Sequence, residues 1–220
     1  MPTTTTPTRP RNATRTIVVL GFEGVQTLDV VGPMEVFALA NRYAKRSPAP
    51  YRVLLASPAG GAIHTNAGLA LAGALALADV PAKVDTLVIA GGDEPTLRAA
   101  VVDAELMDWL RARAPRTRRI ATVCVGAMVL AASGLIDGRR ATTHWEYCGL
   151  MQQMFPAVEV EPDAIFVAEP PFYTSAGVTA GIDLCLSLVE ADCGSAVALA
   201  VARNLVLFMR RPGGDRKSVV

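Results

Sequence analysis

Cys124 is the residue whose surroundings most favour chemistry, because it stands where an apolar run changes character. Residues 120–123 are β-favouring and largely apolar, whereas the small and apolar residues 125–135 are typical of a buried helix. A cysteine at a strand-to-helix turn holds its sulfur beside the first amides of the helix, in the manner of a nucleophile elbow. Those amides and the helix dipole favour a thiolate. The alternative interpretation is a buried, inert cysteine, since free cysteines are among the most buried residues.

Two further side chains could act together with this thiol. Asp29 lies in an otherwise apolar segment, where a carboxylate is either functional or serves to cap a helix or satisfy a loop. His144 lies 20 residues beyond Cys124, which leaves room for one helix and one short strand. The imidazole can therefore return to the same end of the sheet and activate the thiol. A histidine at a helix start can also simply cap or pack.

Backbone amides would complete a site around Cys124. Gly91 and Gly92 follow an apolar strand, and glycines at the carboxyl end of a parallel strand let a ligand or an oxyanion approach closely, although a plain turn would use the same pair. Val125 contributes the first amide after the cysteine. We interpret His64 as structural because no metal-ligating residue follows it closely, and we expect neither a metal ion nor an organic cofactor.

Strands and helices alternate along the chain, which predicts an α/β fold with a doubly wound, mostly parallel sheet sandwiched by helices. Ligands of such sheets lie beyond the carboxyl ends of the strands, where Asp29, Gly91 and Cys124 are all predicted to lie. The predicted strands are residues 17–22, 52–57, 84–90, 140–143, 158–160, 165–167 and 172–175, with a turn at Gly60 and Gly61.

The predicted helices pack their apolar faces on this sheet. Residues 95–114 form one helix, whose core-facing side carries Val102, Leu106, Trp109 and Leu110. Five other helices are predicted. The first follows a loop at residues 23–33 and ends near Tyr43, and the second follows Cys124. The remaining three run from His144 to before Pro156, from an elbow at residues 176–181 to Glu190, and from Ser195 to Met209.

Composition limits the classes of function. The 220 residues suit one sizeable α/β core, and the net charge of +1 excludes the global basic field of a nucleic-acid-binding module. Charged residues interrupt every long apolar stretch, so no membrane span is expected although 51% of the residues are hydrophobic. The four cysteines lack the spacing of a disulfide framework, which predicts a cytoplasmic protein. Residues 1–15 are rich in Thr, Pro and Arg and are expected to form a disordered leader.

Five motifs taken together resemble the PfpI/ThiJ superfamily, whose members share the class I glutamine-amidotransferase-like, flavodoxin-like fold. The resemblance spans residues 16–214, with the domain itself placed at residues 16–209, and it implies a homodimer. The motifs are QTLDVVGP at residues 26–33, AGG at 90–92, VCVGA at 123–127, GRRATTHW at 138–145 and TSAGVTAGID at 174–183.

The branch that the chain resembles most is the amidase-like sensor domain of GlxA-like, AraC-type transcription regulators. Residues 201–214 look like the last sensor helix and the start of the linker in those proteins. The resemblance implies a small-molecule metabolite bound between Asp29, Gly91, Cys124 and His144 without turnover, with the helix from Ser195 as transmitter. DNA would be bound only through a helix-turn-helix domain that is absent from the 220 residues.

The last residues point to a non-native tail. We assign residues 210–220 to the start of the linker and this tail. One back-translation of residues 215–220, GATCGGAAGAGCGTCGTG, resembles a short-read sequencing adapter. We therefore expect the genuine coding sequence to be interrupted after Gly214 and the parent regulator to continue beyond it.

A different branch, isocyanide hydratase, supplies the enzyme alternative, and an amidase-type hydrolase is its variant. The resemblance at Asp29, Cys124 and residues 142–145 implies that the thiol attacks the substrate or supports water addition, with Asp29 as base and the Gly92 amide stabilising charge. The hydratase pattern has a hydroxyl residue where this chain has Val125, the protease-like branch has a histidine there, and the deglycase branch has a glutamate near Asp29. A third interpretation makes Cys124 a redox sensor.

Overall fold

The structure is a computed structural model that describes residues 13–207. Of the disordered leader expected at residues 1–15, residues 1–12 lie outside the described residues, as do the linker and tail expected at residues 210–220. Arg15 is buried in the first strand, so the expectation was wrong at that residue. Within the described range, no helix combines the length and the apolar character that crossing a membrane requires.

Within residues 13–207, ten strands form one large sheet and one small ribbon. The large sheet has the order β3-β4-β2-β1-β5-β6-β10-β9, and the ribbon pairs β7 with β8. The strands are β1 (Arg15–Leu20), β2 (Tyr51–Ser57), β3 (Ala59–His64), β4 (Ala70–Ala76), β5 (Thr86–Ile89), β6 (Arg119–Val123), β7 (Arg140–Ala141), β8 (Glu159–Val160), β9 (Phe166–Glu169) and β10 (Phe172–Ser175). The neighbouring strands in the series β4-β2-β1-β5-β6-β10 pair in parallel. Only the two edge strands, β3 and β9, pair antiparallel with their neighbours. The predicted doubly wound, mostly parallel sheet is confirmed.

The described part of the chain contains seven α-helices, most of which pack on the sheet or on one another. They are α1 (Thr27–Ala44), α2 (Glu94–Val102), α3 (Ala104–Arg113), α4 (Gly126–Ala132), α5 (Cys148–Met154), α6 (Thr179–Cys193) and α7 (Ser195–Asn204). Helices α1, α6 and α7 pack against one another, and α2 packs against α4. The central strands are buried throughout, as the continuous apolar run of Ile17 to Leu20 requires for a strand covered on both faces.

Helix α1 begins at Thr27, so the predicted loop at residues 27–33 was wrong. Pro33 lies inside the helix, although proline usually marks an early helical position or a break. Tertiary packing explains the difference: a Cβ at Gly32 would lie 3.1 Å from Cγ1 of Ile182 on α6, so Gly32 lets the two helices approach closely. Asp29 consequently sits in the first turn of a helix instead of in a loop.

The predicted helix 95–114 is two helices, because Asp103 ends α2 and its carboxylate accepts the N–H of Leu106 to cap α3. Val102 is therefore 79% exposed at a helix end, and its assignment to the core was wrong, whereas Leu106 and Leu110 are fully buried. Gly60 and Gly61 belong to β3 next to a register shift in its pairing with β4, so no turn occurs there.

Helix α7 ends at Asn204, before the predicted end at Met209. Val206 has a φ of +56°, and the N–H groups of Val206 and Leu207 bond to the carbonyls of Arg203 and Ala202. This is the Schellman arrangement that closes helices, and it usually has glycine at the left-handed position. The apolar pattern in the sequence therefore extends beyond the end of the helix, and only the backbone conformation at Val206 shows where the helix ends.

A buried ionic cluster joins the amino ends of the central strands to the end of α6. Arg119 starts β6 and its side chain is 4% exposed, whereas that of Asp192 near the end of α6 is 1% exposed. Arg118 bonds to both Asp192 and Asp85, at 2.9 and 2.8 Å, and Arg15 lies 3.6 Å from Asp192. This amino edge lies opposite the edge that carries Cys124.

Candidate functional site

Cys124 occupies a strained turn between β6 and α4. Its φ is +55°, a conformation that non-glycine residues rarely adopt, and it is 8% exposed. A Cβ at Gly126 would collide with the carbonyl oxygen of Ile89, so glycine is required for the chain to turn this sharply beside β5. The predicted strand-to-helix elbow is confirmed.

Two other segments hold the elbow in place. The N–H of Cys124 donates to the carbonyl of Ser175 at 3.2 Å, and the hydroxyl of Thr143 donates to the carbonyl of Cys124 at 2.9 Å. A Cβ at Gly177 would lie 3.0 Å from Sγ of Cys124. Glycine at position 177 therefore brings a second backbone turn against the cysteine.

Asp29 is fully buried beside Cys124, and its two oxygens have different partners. Oδ2 accepts the N–H of Gly91 at 3.1 Å, and Oδ1 accepts the N–H of Val178 at 3.1 Å. Burial raises the pKa of Asp29 to about 6, because the loss of solvation outweighs the two N–H donors and the Cys124 thiol that favour the charged form. At neutral pH the carboxylate is thus mostly ionised, with two backbone N–H donors bonded to it and the Cys124 thiol beside it.

The Cys124 thiol has the opposite character from the thiolate expected at a helix start. Burial raises the pKa of Cys124 to about 12, the negative charge of Asp29 adds to this shift, and the amide of Val125 lowers it only partly. The short helix α4 and one amide do not compensate for the buried carboxylate. At neutral pH the site is therefore a protonated thiol that donates to a carboxylate.

This protonation state predicts slow alkylation. Iodoacetamide should modify Cys124 at pH 7.5 at least about tenfold more slowly than an unstructured cysteine peptide, because only the thiolate reacts. The rate, followed by peptide mass spectrometry, should still rise with pH at pH 9. Cys193, which is more exposed than Cys124, is the internal comparison. A rate that levels off near neutral pH would show that the thiolate forms easily.

The two glycines after β5 have different roles. The N–H of Gly91 is already bonded to Asp29, and a Cβ there would lie 2.9 Å from both Cβ of Cys124 and the nitrogen of Val125. Gly92 forms an isolated bridge with Val25, and no hydrogen bond within residues 13–207 uses its N–H. The Gly92 amide is consequently without an acceptor in that range, whereas the Val125 amide acts on the Cys124 thiol and lowers its pKa.

His144 lies on the segment that holds the elbow, next to Thr143, but it makes no hydrogen bond to Cys124 in the described part of the chain. Its Nδ1 lies 3.5 Å from Oε2 of Glu146, and its ring contacts Trp145 and Tyr147 at centroid distances of 5.7 and 6.2 Å. The structure therefore brings Asp29, Gly91, Cys124 and Val125 into direct contact and places His144 in the neighbouring aromatic turn.

Sequence reasoning missed Thr143 and Val178, which contact the elbow and Asp29 only through folding. It marked residues 176–181 as a second elbow without assigning them to the site. No three His, Cys, Asp or Glu side chains among residues 13–207 converge in a way that could hold a metal ion. His64 pairs with Glu23 at 2.8 Å on the surface.

A groove of about 660 Å³ lies elsewhere, between α1 and the strands β2 and β4. Its lining is mainly apolar and includes Met34, Val53 and Leu71, but none of the predicted site residues. The site at Cys124 is thus defined by its side-chain chemistry and is distinct from this groove.

Comparison with known proteins identifies the chain's relatives. A family profile described as DJ-1/PfpI family matches residues 15–191. The HTH-type transcriptional regulator CdhR of Pseudomonas aeruginosa is 34% identical over 194 residues, which are 88% of this chain and 55% of that protein. The isonitrile hydratase of Pseudomonas putida is 32% identical over 184 residues, which cover 84% of this chain and 75% of the enzyme.

A solved structure supports the same fold. The crystal structure of a ThiJ/PfpI family protein from Pseudomonas syringae superposes with a TM-score of 0.79 at 27% identity, and the match covers 95% of this chain and 81% of that one. The chain spans about half the length of the regulator that it matches.

Proposed function

Because this chain belongs to the DJ-1/PfpI family, we propose that it is the small-molecule-sensing, amidase-like domain of an AraC-type transcription regulator and binds its ligand without turnover. One observation carries the proposal: Cys124 is buried beside the buried Asp29 carboxylate, which holds the pKa of the thiol above its usual range, and the His144 imidazole lies next to Glu146 instead of on the sulfur. A cysteine nucleophile needs an adjacent base or a lowered pKa. In this site the pKa of the thiol is raised, and the base beside it is the Asp29 carboxylate, with no imidazole among residues 13–207 bonded to the sulfur.

The proposed ligand site consists of Asp29, Gly91, Gly92, Cys124, Val125 and His144. Its backbone donors would be the amide of Gly92 and, beside the sulfur, the amide of Val125, and its acceptor would be the Asp29 carboxylate. A small metabolite that carries both a polar acceptor and a donor, such as an amide, matches this set. We propose no metal ion or organic cofactor.

The partners follow from the regulator assignment. Regulators with a helix-turn-helix domain read two half-sites, which suits a homodimer. DNA contact in such a regulator belongs to the helix-turn-helix domain, and the matched region belongs to the sensor. We propose a cytoplasmic location, where the four free cysteines would stay reduced.

A second candidate function is isocyanide hydration, favoured by the 32% identity to an isonitrile hydratase and by the contact between Asp29 and Cys124. In that reaction Asp29 would accept the thiol proton as the sulfur adds to the isocyanide carbon and would return it to that carbon, giving a thioimidate. Water would then add to the same carbon, and cleavage of the C–S bond would release the formamide and the free thiol. Val125 provides no hydroxyl group at the position after the cysteine. The Gly92 amide would stabilise the developing charge.

A thermal-shift screen of the 220-residue chain against a metabolite panel tests the sensing proposal. A ligand at about 100 times its Kd should raise Tm by about 5–10 °C, and the product assay should show no consumption. Cys124→Ala should respond to the same ligand. Cys193→Ala, which removes a thiol near the end of α6, controls for cysteine loss.

Cyclohexyl isocyanide belongs in the same panel as a probe for the second function. Formamide production that disappears in Cys124→Ala and persists in Cys193→Ala would replace the sensor proposal by the hydratase. A ligand that stabilises both variants and is recovered unchanged would support the sensor.

A further inference from the structure

Val178 has a backbone conformation that a valine rarely adopts. Its φ is +47° and its ψ is −107°, and the N–H of Ala180 donates to the carbonyl of Gly177 at 2.9 Å. These are the features of a type II′ turn with Val178 at the first central position, where glycine is preferred. A β-branched residue there is a true outlier, and such strain persists only when the surrounding structure holds it.

The contact that holds this turn is the bond from the N–H of Val178 to Oδ1 of Asp29. Helix α6 begins at the next residue, Thr179. Because the other oxygen of Asp29 accepts the N–H of Gly91, the buried carboxylate links the end of β5 to the start of α6.

The far end of α6 is also anchored. Asp192 lies in the ionic cluster with Arg118 and Arg119 at the opposite edge of the sheet, and Gly194 then leads directly into α7. Helix α6 therefore runs from the Cys124 site to the start of α7. A conformational change at the first turn of α6 can therefore be transmitted to α7 through α6 itself.

We propose that Val178 is a positioning residue for Asp29 and that its turn has two states: strained and closed while Asp29 accepts its N–H, and relaxed and open when a proton or a ligand occupies that oxygen. The physiological meaning of this inference rests on the sensing proposal. It adds that the turn at Val178 is the element through which protonation or ligand binding at Asp29 changes the start of α6.

The groups around Asp29 make this switch accessible near neutral pH. The Cys124 thiol faces Asp29 from the elbow, and Glu146 acts on that thiol from the following turn. The first acid on α6 is Asp183, one turn beyond Val178. Since burial raises the pKa of Asp29 to about 6, acidification through this value protonates the carboxylate, and the neutral carboxyl group accepts the Val178 N–H more weakly than the charged carboxylate does.

Hydrogen exchange of the 220-residue chain tests the inference without any ligand. Protection factors for the amides of residues 178–181 should fall at least about tenfold between pH 8 and pH 5, with a midpoint near 6. Asp29→Asn should remove this step. Val178→Gly should keep the turn closed across the range, because glycine adopts the conformation without strain.

Val206→Gly is the matched control. Val206 is also a left-handed valine, with a φ of +56°, but it is 88% exposed at the end of α7 and makes no contact with Asp29. This variant should keep the wild-type step.

Three results would overturn the inference: no step in the wild-type chain, a step that survives in Asp29→Asn, or a step of equal size in Val178→Gly. Each of them leaves the ligand screen unaffected. A failed screen would in turn leave the switch standing, so the two proposals fail separately.

Discussion

Asp192→Ala should lower the free energy of unfolding by about 3–5 kcal/mol, because it leaves buried positive charge without its partner. The side chain of Arg119 is 4% exposed, and its remaining carboxylate, Asp85, lies 3.8 Å away. Arg15 and Arg118 lose the same partner. The hydroxyl of Tyr51 also loses its acceptor at 3.1 Å, which adds an unsatisfied polar group.

Urea unfolding followed by circular dichroism measures this loss. Asp108→Ala is the comparison, since Asp108 pairs with Arg111 at 2.8 Å but its side chain is 80% exposed. That exposed pair should contribute no more than about 1 kcal/mol. Similar small losses in both variants would mean that water reaches the cluster and that α6 is not anchored there.

The second large effect is a pH-dependent loss of stability caused by Asp29. Burial raises its pKa from 3.8 to about 6 in the folded chain. Between these values the folded state holds a proton that the unfolded state has lost, so stability falls as pH rises. A shift of this size corresponds to about 3 kcal/mol.

Denaturant titrations at intervals from pH 3.5 to pH 7.5 measure the effect as a difference from Asp29→Asn. The asparagine variant keeps the shape of the side chain and has no proton to exchange. The difference should be largest in favour of the wild-type chain below pH 4 and should shrink by about 3 kcal/mol by pH 7. A difference that grows in the wild-type chain's favour as pH rises would mean that hydrogen bonds to the carboxylate outweigh its burial.

Both predictions concern charges whose partners are far apart in the sequence. Asp192 is 73 residues from Arg119, and Asp29 is 149 residues from Val178. They lie at opposite ends of α6, so together they test whether this helix is held at both ends.

The sequence by itself determined the architecture and the position of the thiol. Apolar runs specify buried parallel strands, and the glycine after Val125 allows the sharp turn that places Cys124 at the start of α4, because both depend on the types and spacing of neighbouring residues. Asp29, Gly91 and Cys124 could be brought together from sequence because parallel strands end at one edge.

Only the tertiary structure decided how these groups behave. The Cys124 thiol is protonated because burial and Asp29 act on it together, and desolvation cannot be read from spacing along the chain. The break between α2 and α3 depends on the Asp103 carboxylate, which caps α3 by accepting the N–H of Leu106. The extension of α1 through Pro33 depends on the packing of α1 against α6. The strain at Val178 depends on one hydrogen bond to a residue from the first helix. Local sequence determines which backbone conformations have low energy, whereas contacts between distant segments determine which strained conformations persist in the folded chain.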